Sequence, residues 1–308
     1  MTASMKDAIK SARQGGRAAE SGFILVAVLW MVAALATLAS VYSVYAVNTA
    51  AASHVADDRL QAESAVRAGV ELAVFQVLAV PESARPTHGA FDAHIGRTKV
   101  SVRYGSEAAR IDLNAAPKEL LAGLFSAVGV GGATAASYAD RVIGWRTKAK
   151  LNAENPEAAA YKTAGLPYPP RQAPFTNALE LNLVMGLPPL IVERILPYVT
   201  VFSGKAQVDV VNAAPETLAA LPGMTPDILH KVLQARSNNP DDSKSLMELL
   251  GPANGHVTTD AIKTQRATIQ VDLEHGRHIR AEVVFRLADS GDEPYDIVFW
   301  RDDFDGPF

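Results

Sequence analysis

Residues 23–47 read FILVAVLWMVAALATLASVYSVYAV, 25 positions without a charge. A helix that is apolar on every side belongs in a membrane or deep in a large core, so this run constrains the chain more than any other feature. At about 1.5 Å per residue it would be roughly 37 Å long, enough to cross the hydrocarbon of a bilayer. Charge is arranged around it. Lys6, Lys10, Arg13 and Arg17 precede it against Asp7 and Glu20, while the residues after it hold 25 basic against 31 acidic groups. By the positive-inside rule the leader stays cytoplasmic and the body lies outside. A cleaved secretory signal is the rival, with an apolar core of about 7–15 residues and a small-x-small site. Ala34, Leu35 and Ala36 imitate such a site, but the run continues well past them.

The helix need not end at the membrane. Leu60, Val66, Val70, Ala73, Val74 and Val77 recur at three- and four-residue spacings, and Asp57, Arg59, Glu63, Arg67 and Glu71 mark a polar side. Pro81 supplies a stop, and only Gly69 weakens the helix before it. One rod over 23–79 is expected; a span followed by a separate surface helix is the alternative. The stripe Val66, Val70 and Val77 is expected to meet partner helices, and its competing use is packing on the chain's own sheet.

After Pro81 the period changes. Residues 98–104 (TKVSVRY), 266–274 and 279–287 alternate as half-buried strands, and 296–301 (DIVFWR) adds another. His275-Gly276-Arg277 is a hairpin signal. Residues 110–255 read as helical and contain a repeat. Ile111-Asp112-Leu113-Asn114-Ala115-Ala116-Pro117 recurs as Val208-Asp209-Val210-Val211-Asn212-Ala213-Ala214-Pro215, with one extra residue before the asparagine and an offset of 98 from there on (114 to 212). Pro117 and Pro215 suit the first turn of a helix. Leu221-Pro222-Gly223-Met224 makes a tight turn, and Thr225 and Pro226 open the next helix. Asn212, Pro215, Pro222 and Gly223 thus mark a helix-hairpin-helix. A looser copy covers 178–197, turning at Met185-Gly186-Leu187-Pro188. The first copy turns near Gly129-Val130-Gly131-Gly132.

Two groups of residues carry a family resemblance. The charged leader ends in Gly22, followed at once by Phe23 and the apolar run, which resembles the class III signal of pilins and pseudopilins. The stretches GLPYPPRQAPF (165–175), LELNLVMGLPPLIVERILPYVTVFSG (179–204) and VNAAPETLAALPGM (211–224) are similar to the helical domain of the K-type minor pseudopilins of type II secretion. The resemblance implies cleavage after Gly22 by a prepilin peptidase and N-methylation of Phe23. Ala27 stands where most pilin-like subunits have glutamate, a departure shared with the K type. Partners implied are the I- and J-type minor pseudopilins, the major pseudopilin, the prepilin peptidase, the inner-membrane platform and secreted exoproteins. The implied place is the bacterial inner membrane, single-pass, with the body in the periplasm and the subunit at a pseudopilus tip. Met5 is an alternative start.

The fold expected is α+β. A cytoplasmic leader (1–22) precedes a transmembrane and pilin helix (23–80), which lies on a small antiparallel sheet built from residues 81–110 and 256–308. An inserted all-helical domain of helix-hairpin-helix (SAM-like) repeats occupies 111–255. The resemblance implies calcium in some members, held after the tryptophan matching Trp145. Here that loop opens with Arg146, Lys148 and Lys150 and lacks paired aspartates, so no metal ligand and no cofactor is assigned, although Glu154 and Glu157 remain. Asp302, Asp303 and Asp305 read as a solvated tail.

No enzyme is read. His275 and His278 flank a turn, His88 and His94 fall in a Gly-containing loop, and no nucleophile elbow or phosphate loop occurs. The alternative function is a membrane-anchored DNA-uptake protein. Its chemistry needs free backbone N–H groups and cations, yet Pro222 and Pro226 lack N–H, and Lys205, Lys231 and Arg236 are balanced by Asp209, Glu216 and Asp227. The chain has no cysteine, so no disulfide framework enters.

Overall fold

The computed structural model describes residues 4–82, 85–149, 156–239, 242–260, 262–273, 276–288 and 293–303, with backbone alone at 4–22, 51–56, 243, 252 and 254. The chain divides into two compact units, Met1–Gln61 and Ala62–Phe308. Helix α1 (Ser4–Leu78) is one helical element running through the first unit into the second. It closes where Ala79 donates to the Phe75 carbonyl, two residues before Pro81 removes the next donor.

In the second unit, β1 (His88–Ile95) turns through Gly96 (φ +62°) into β2 (Thr98–Ser106), followed by a 3-10 turn at Glu107–Ala109. Then come β3 (Ile111–Asp112), α2 (Lys118–Ala127), α3 (Gly132–Arg146) and α4 (Pro156–Thr163). A 3-10 segment, Ala178–Leu183, leads to α5 (Pro189–Ile195), β4 (Val199–Thr200) and β5 (Val208–Asp209). Helices α6 (Pro215–Ala219), α7 (Pro226–Asn238) and α8 (Ser243–Leu250) follow, then β6 (Val257–Thr258). The chain returns through β7 (Thr264–Asp272), β8 (His278–Leu287) and β9 (Tyr295–Asp302).

One antiparallel sheet has the order β1-β2-β7-β8-β9. Because β2 and β7 are neighbours, residues 107–263 are an insertion between adjacent strands. Two hydrophobic clusters result. The first joins Val66, Val70, Ala73, Val74 and Val77 of α1 to Val100, Val102, Ile269, Val271, Val283 and Phe285 of the sheet. The second lies wholly in the insertion, around Leu120, Leu124, Phe125, Val142, Trp145, Ile195, Leu218 and Val232. Each fully buried valine or leucine contributes about 1.5–3 kcal/mol over its exposed state. Gly69 sets the helix-to-sheet distance, since a Cβ there would lie 3.2 Å from both Ile269 and Val102.

Two expectations change. Val66, Val70 and Val77 are 0%, 1% and 1% exposed, so the stripe assigned to partner helices is consumed by the chain's own sheet. Periodicity identifies a buried face without saying what buries it. His88 and His94 lie on β1, not in a loop, held there by pairing with Gly105 and Lys99.

Candidate functional site

The apolar stretch Phe23–Ala50 is long and apolar enough to cross a membrane, and none of it is buried in the structure. Phe23 is 76% exposed and Trp30 73%. Three of its hydroxyls carry their own solution to a medium without water. Thr37, Ser40 and Thr49 each donate to the carbonyl four residues earlier, at 2.8–2.9 Å. Gly22 and Phe23 both lie within the helical backbone of α1.

In the insertion the recurring motif folds twice into one arrangement. β3 pairs in parallel with β4, and β5 with β6. Asp112 and Asp209 are buried, and each accepts from the backbone N–H two residues on: Asn114 at 2.7 Å and Val211 at 2.9 Å. Each copy is closed by an arginine from its second helix. Arg146 donates to the carbonyls of Leu113 and Ala116, and Arg236 to that of Ala213. Both guanidiniums are pushed below the usual arginine range by burial, countered by Asp112 and Asp209 respectively. Burial pushes the Asp209 carboxyl above its usual range, against the hydrogen bonds from Asn212 and Val211 and the charge of Arg236.

Of the residues singled out from sequence, Pro215 is the first residue of α6, whereas Pro117 sits one place earlier, as the N-cap of α2. Gly223 adopts φ +79°, the left-handed conformation its turn needs, and Pro222 precedes it. Asn212 turns its side chain onto Asp209 at 2.6 Å. Two of the three cations weighed against DNA phosphates are occupied: Lys231 pairs with Asp227 at 2.8 Å, and Arg236 points inward.

Sequence reading missed an aromatic seam. Trp145 packs between Tyr161 and Phe175 with its ring tilted to both, centroids 6.1 and 6.2 Å away. Tyr161 accepts from Met185 N–H at 2.7 Å, and burial pushes its hydroxyl up to about 12. Trp145 donates to Glu180, which burial would raise but Thr176, Trp145 and Arg171 hold below its usual range. Of the loop where the resemblance implies calcium, residues 150–155 lie outside the described residues. Arg146 faces inward, Glu157 is paired with Arg141 at 2.9 Å, and Glu154 lies outside the described residues, as do His275 and Asp305. No group of three or more His, Asp or Glu among the described residues could hold a metal. His278 instead contacts Asp272 at 2.8 Å.

Sequence also missed the ion network where the insertion meets the sheet. Glu107, 1% exposed, accepts from Arg266 Nε at 2.8 Å and from the Thr200 hydroxyl. Glu282 receives Arg266 at 2.8 Å, Arg301 at 2.6 Å and Arg110 at 3.4 Å. Burial would raise the Glu282 carboxyl, but Arg266, Arg110 and Arg301 hold it below the usual range. Burial likewise opposes the charge on Arg266, yet Glu107 and Glu282 raise it. Arg110 is lowered, by burial first and then by Arg266. These bonds fix the insertion against β7 and β8.

Residues 102–204 match the family model described as type II secretion system (T2SS), protein K. Over this stretch the chain is similar to protein K of that system. The stretch begins inside β2 and ends at Gly204, so it takes in the first aspartate motif, the aromatic seam and β4. Across the fold, a chain of "The Crystal Structure of the GspK-GspI-GspJ complex from enterotoxigenic Escherichia coli Type 2 Secretion System" superposes with a TM-score of 0.54 at 13% identity. The match covers 80% of this chain and 96% of that one, so the shared fold extends well beyond the stretch that the family model matches. No protein of curated function matches the chain in sequence.

Proposed function

We infer that the chain is a K-type minor pseudopilin: a non-enzymatic, single-pass inner-membrane subunit whose periplasmic body joins I- and J-type pseudopilins at the pseudopilus tip. The observation that carries this is the stretch similar to protein K, set on a helix-and-sheet scaffold whose helix continues into an uncharged, lipid-compatible run. Cleavage after Gly22 would leave Phe23 as a methylated terminus in the membrane. With Ala27 at the fifth mature position, the helix brings no carboxylate into lipid, where an unpaired charge is costly. In this reading the three helix pairs, at α2–α3, the 3-10 segment with α5, and α6–α7, are helix-hairpin-helix units used for bulk and shape. A head of that size obstructs the stacking of another subunit above it.

Partner helices then meet the outward side of α1. Leu72 and Phe75 are 38% and 68% exposed there, opposite the valines taken by the sheet. The test is co-expression of the full chain with I- and J-type pseudopilins, followed by light scattering of the detergent-solubilised material. A 1:1:1 complex whose K-type chain begins at N-methylated Phe23 by mass spectrometry is expected. A folded chain that emerges alone, with its leader retained, overturns the reading. Phe75→Glu should remove the complex while leaving the melting temperature within about 2 °C, as expected of an exposed site.

A further inference from the structure

Between the end of β2, the turn at Glu107–Ala109 and α6 lies a cleft of about 370 Å³ that the pseudopilin reading does not use. Arg103, Arg110 and Arg266 line it against a single carboxylate, Glu107. Counting Glu282 and Arg301, which extend the same network, there are four cations and two anions. Arg110 and Arg266 are partly neutralised by those carboxylates. Arg103 is exposed and makes no hydrogen bond or ion pair with any described residue. Thr217 also lines the cleft; it is 0% exposed, and its hydroxyl has no partner among the described residues. Buried hydroxyls are normally satisfied, so one left without a partner beside a cation-rich cleft marks a donor that an entering acceptor would satisfy.

We propose that this cleft binds an oxyanion, a phosphate or a carboxylate, held by the Arg103 guanidinium and the Thr217 hydroxyl, with Arg110 and Arg266 supplying field. Guanidinium forks match both anions, and charge-assisted bonds of this kind are the strong ones. The surplus of positive charge rules against a metal cation. Glu107 does not compete for the guest, because its oxygens are already filled by Arg266 and Thr200. The proposal rests on the cleft alone and is independent of the secretion reading.

The experiment is thermal melting of the full chain in detergent with sodium phosphate, sodium succinate or sodium chloride, at matched ionic strength and neutral pH. Phosphate or succinate should raise the melting temperature above the chloride control in a saturable way. Whichever anion acts names the chemistry: inorganic phosphate for phosphates, succinate for the carboxylates of small acids or acidic peptides. Arg103→Gln should weaken the apparent Kd about tenfold or more, as expected for a charged hydrogen bond. Since Arg103 bonds to no described residue, that variant should melt like the parent in chloride. Thr217→Val should melt at or above the parent in chloride and bind more weakly. No gain over chloride with either anion overturns the proposal. So does a gain that persists undiminished in both variants, which would place the anion elsewhere.

Discussion

The two copies of the aspartate motif, Asp112 with α2–α3 and Asp209 with α6–α7, share a turn and diverge in what they hold. In the first, the second carboxylate oxygen of Asp112 accepts from Ser203 Oγ at 3.0 Å and Gly204 N–H at 2.7 Å. Asn114 reaches further, exchanging two hydrogen bonds with the backbone of Phe175. In the second, the corresponding oxygen of Asp209 is taken by Asn212 three residues away. The cause is the extra residue Val211, which swings the asparagine back onto its own aspartate. Identical chemistry thus becomes a clamp across the insertion in one place and a local turn in the other. A motif match therefore fixes geometry close to the backbone and leaves the long-range role open.

The comparison predicts unequal costs. Asp112→Ala strands a backbone N–H in each of two segments along with the Ser203 hydroxyl, and should cost about 3–5 kcal/mol, the range for breaking a buried charged network. Asp209→Ala should cost about 1–3 kcal/mol, because the half-exposed Asn212 side chain can turn to water. Chemical denaturation of the two variants decides it, and equal losses would end the distinction. Gly123→Ala probes the seam between the copies, where a Cβ would run into the Ala220 carbonyl. Overpacking against backbone should cost about 3 kcal/mol, read as a lowered melting temperature.

The smaller differences sharpen the same contrast. Asn114→Ala should lose about 1–2 kcal/mol and loosen residues 171–176 in hydrogen exchange, while Asn212→Ala should lose about 0.5 kcal/mol with no effect there. Acid separates the carboxylates by sign. Glu282 is depressed below 4.5, so its contribution is present above that pH and lost as pH falls through its folded value. Asp209 is raised above 3.8, so its contribution is present below that pH and lost as pH rises through its folded value. Glu282→Gln should therefore flatten the acid limb of a stability–pH curve, and Asp209→Asn should steepen it.

Much of the scaffold was legible from side-chain period. The anchor, α1, β2, β7, β8 and β9 all carry strong alternation or an unbroken apolar run. β1 was not, because HGAFDAHI offers two alanines, a glycine and two histidines, and becomes a strand only through its ladder with β2. At the candidate site, Gly223 and Pro215 fell where their backbone chemistry put them. Arg146 and Arg236 were counted only as charges, since nothing local shows that a guanidinium will cap carbonyls 23 to 33 residues earlier. Glu107, Arg266 and Glu282 were invisible for the same reason: the ladder that joins them spans the whole insertion.

The pairing of Ser106 with Gln265 makes residues 107–263 the loop of a β2–β7 hairpin. Loop-closure entropy rises only slowly with length, and this loop carries a hydrophobic core of its own. Strand register is therefore insulated from whatever happens between those two residues. The helical body can be lengthened, trimmed or re-equipped without renegotiating the sheet or the helix segment that packs on it.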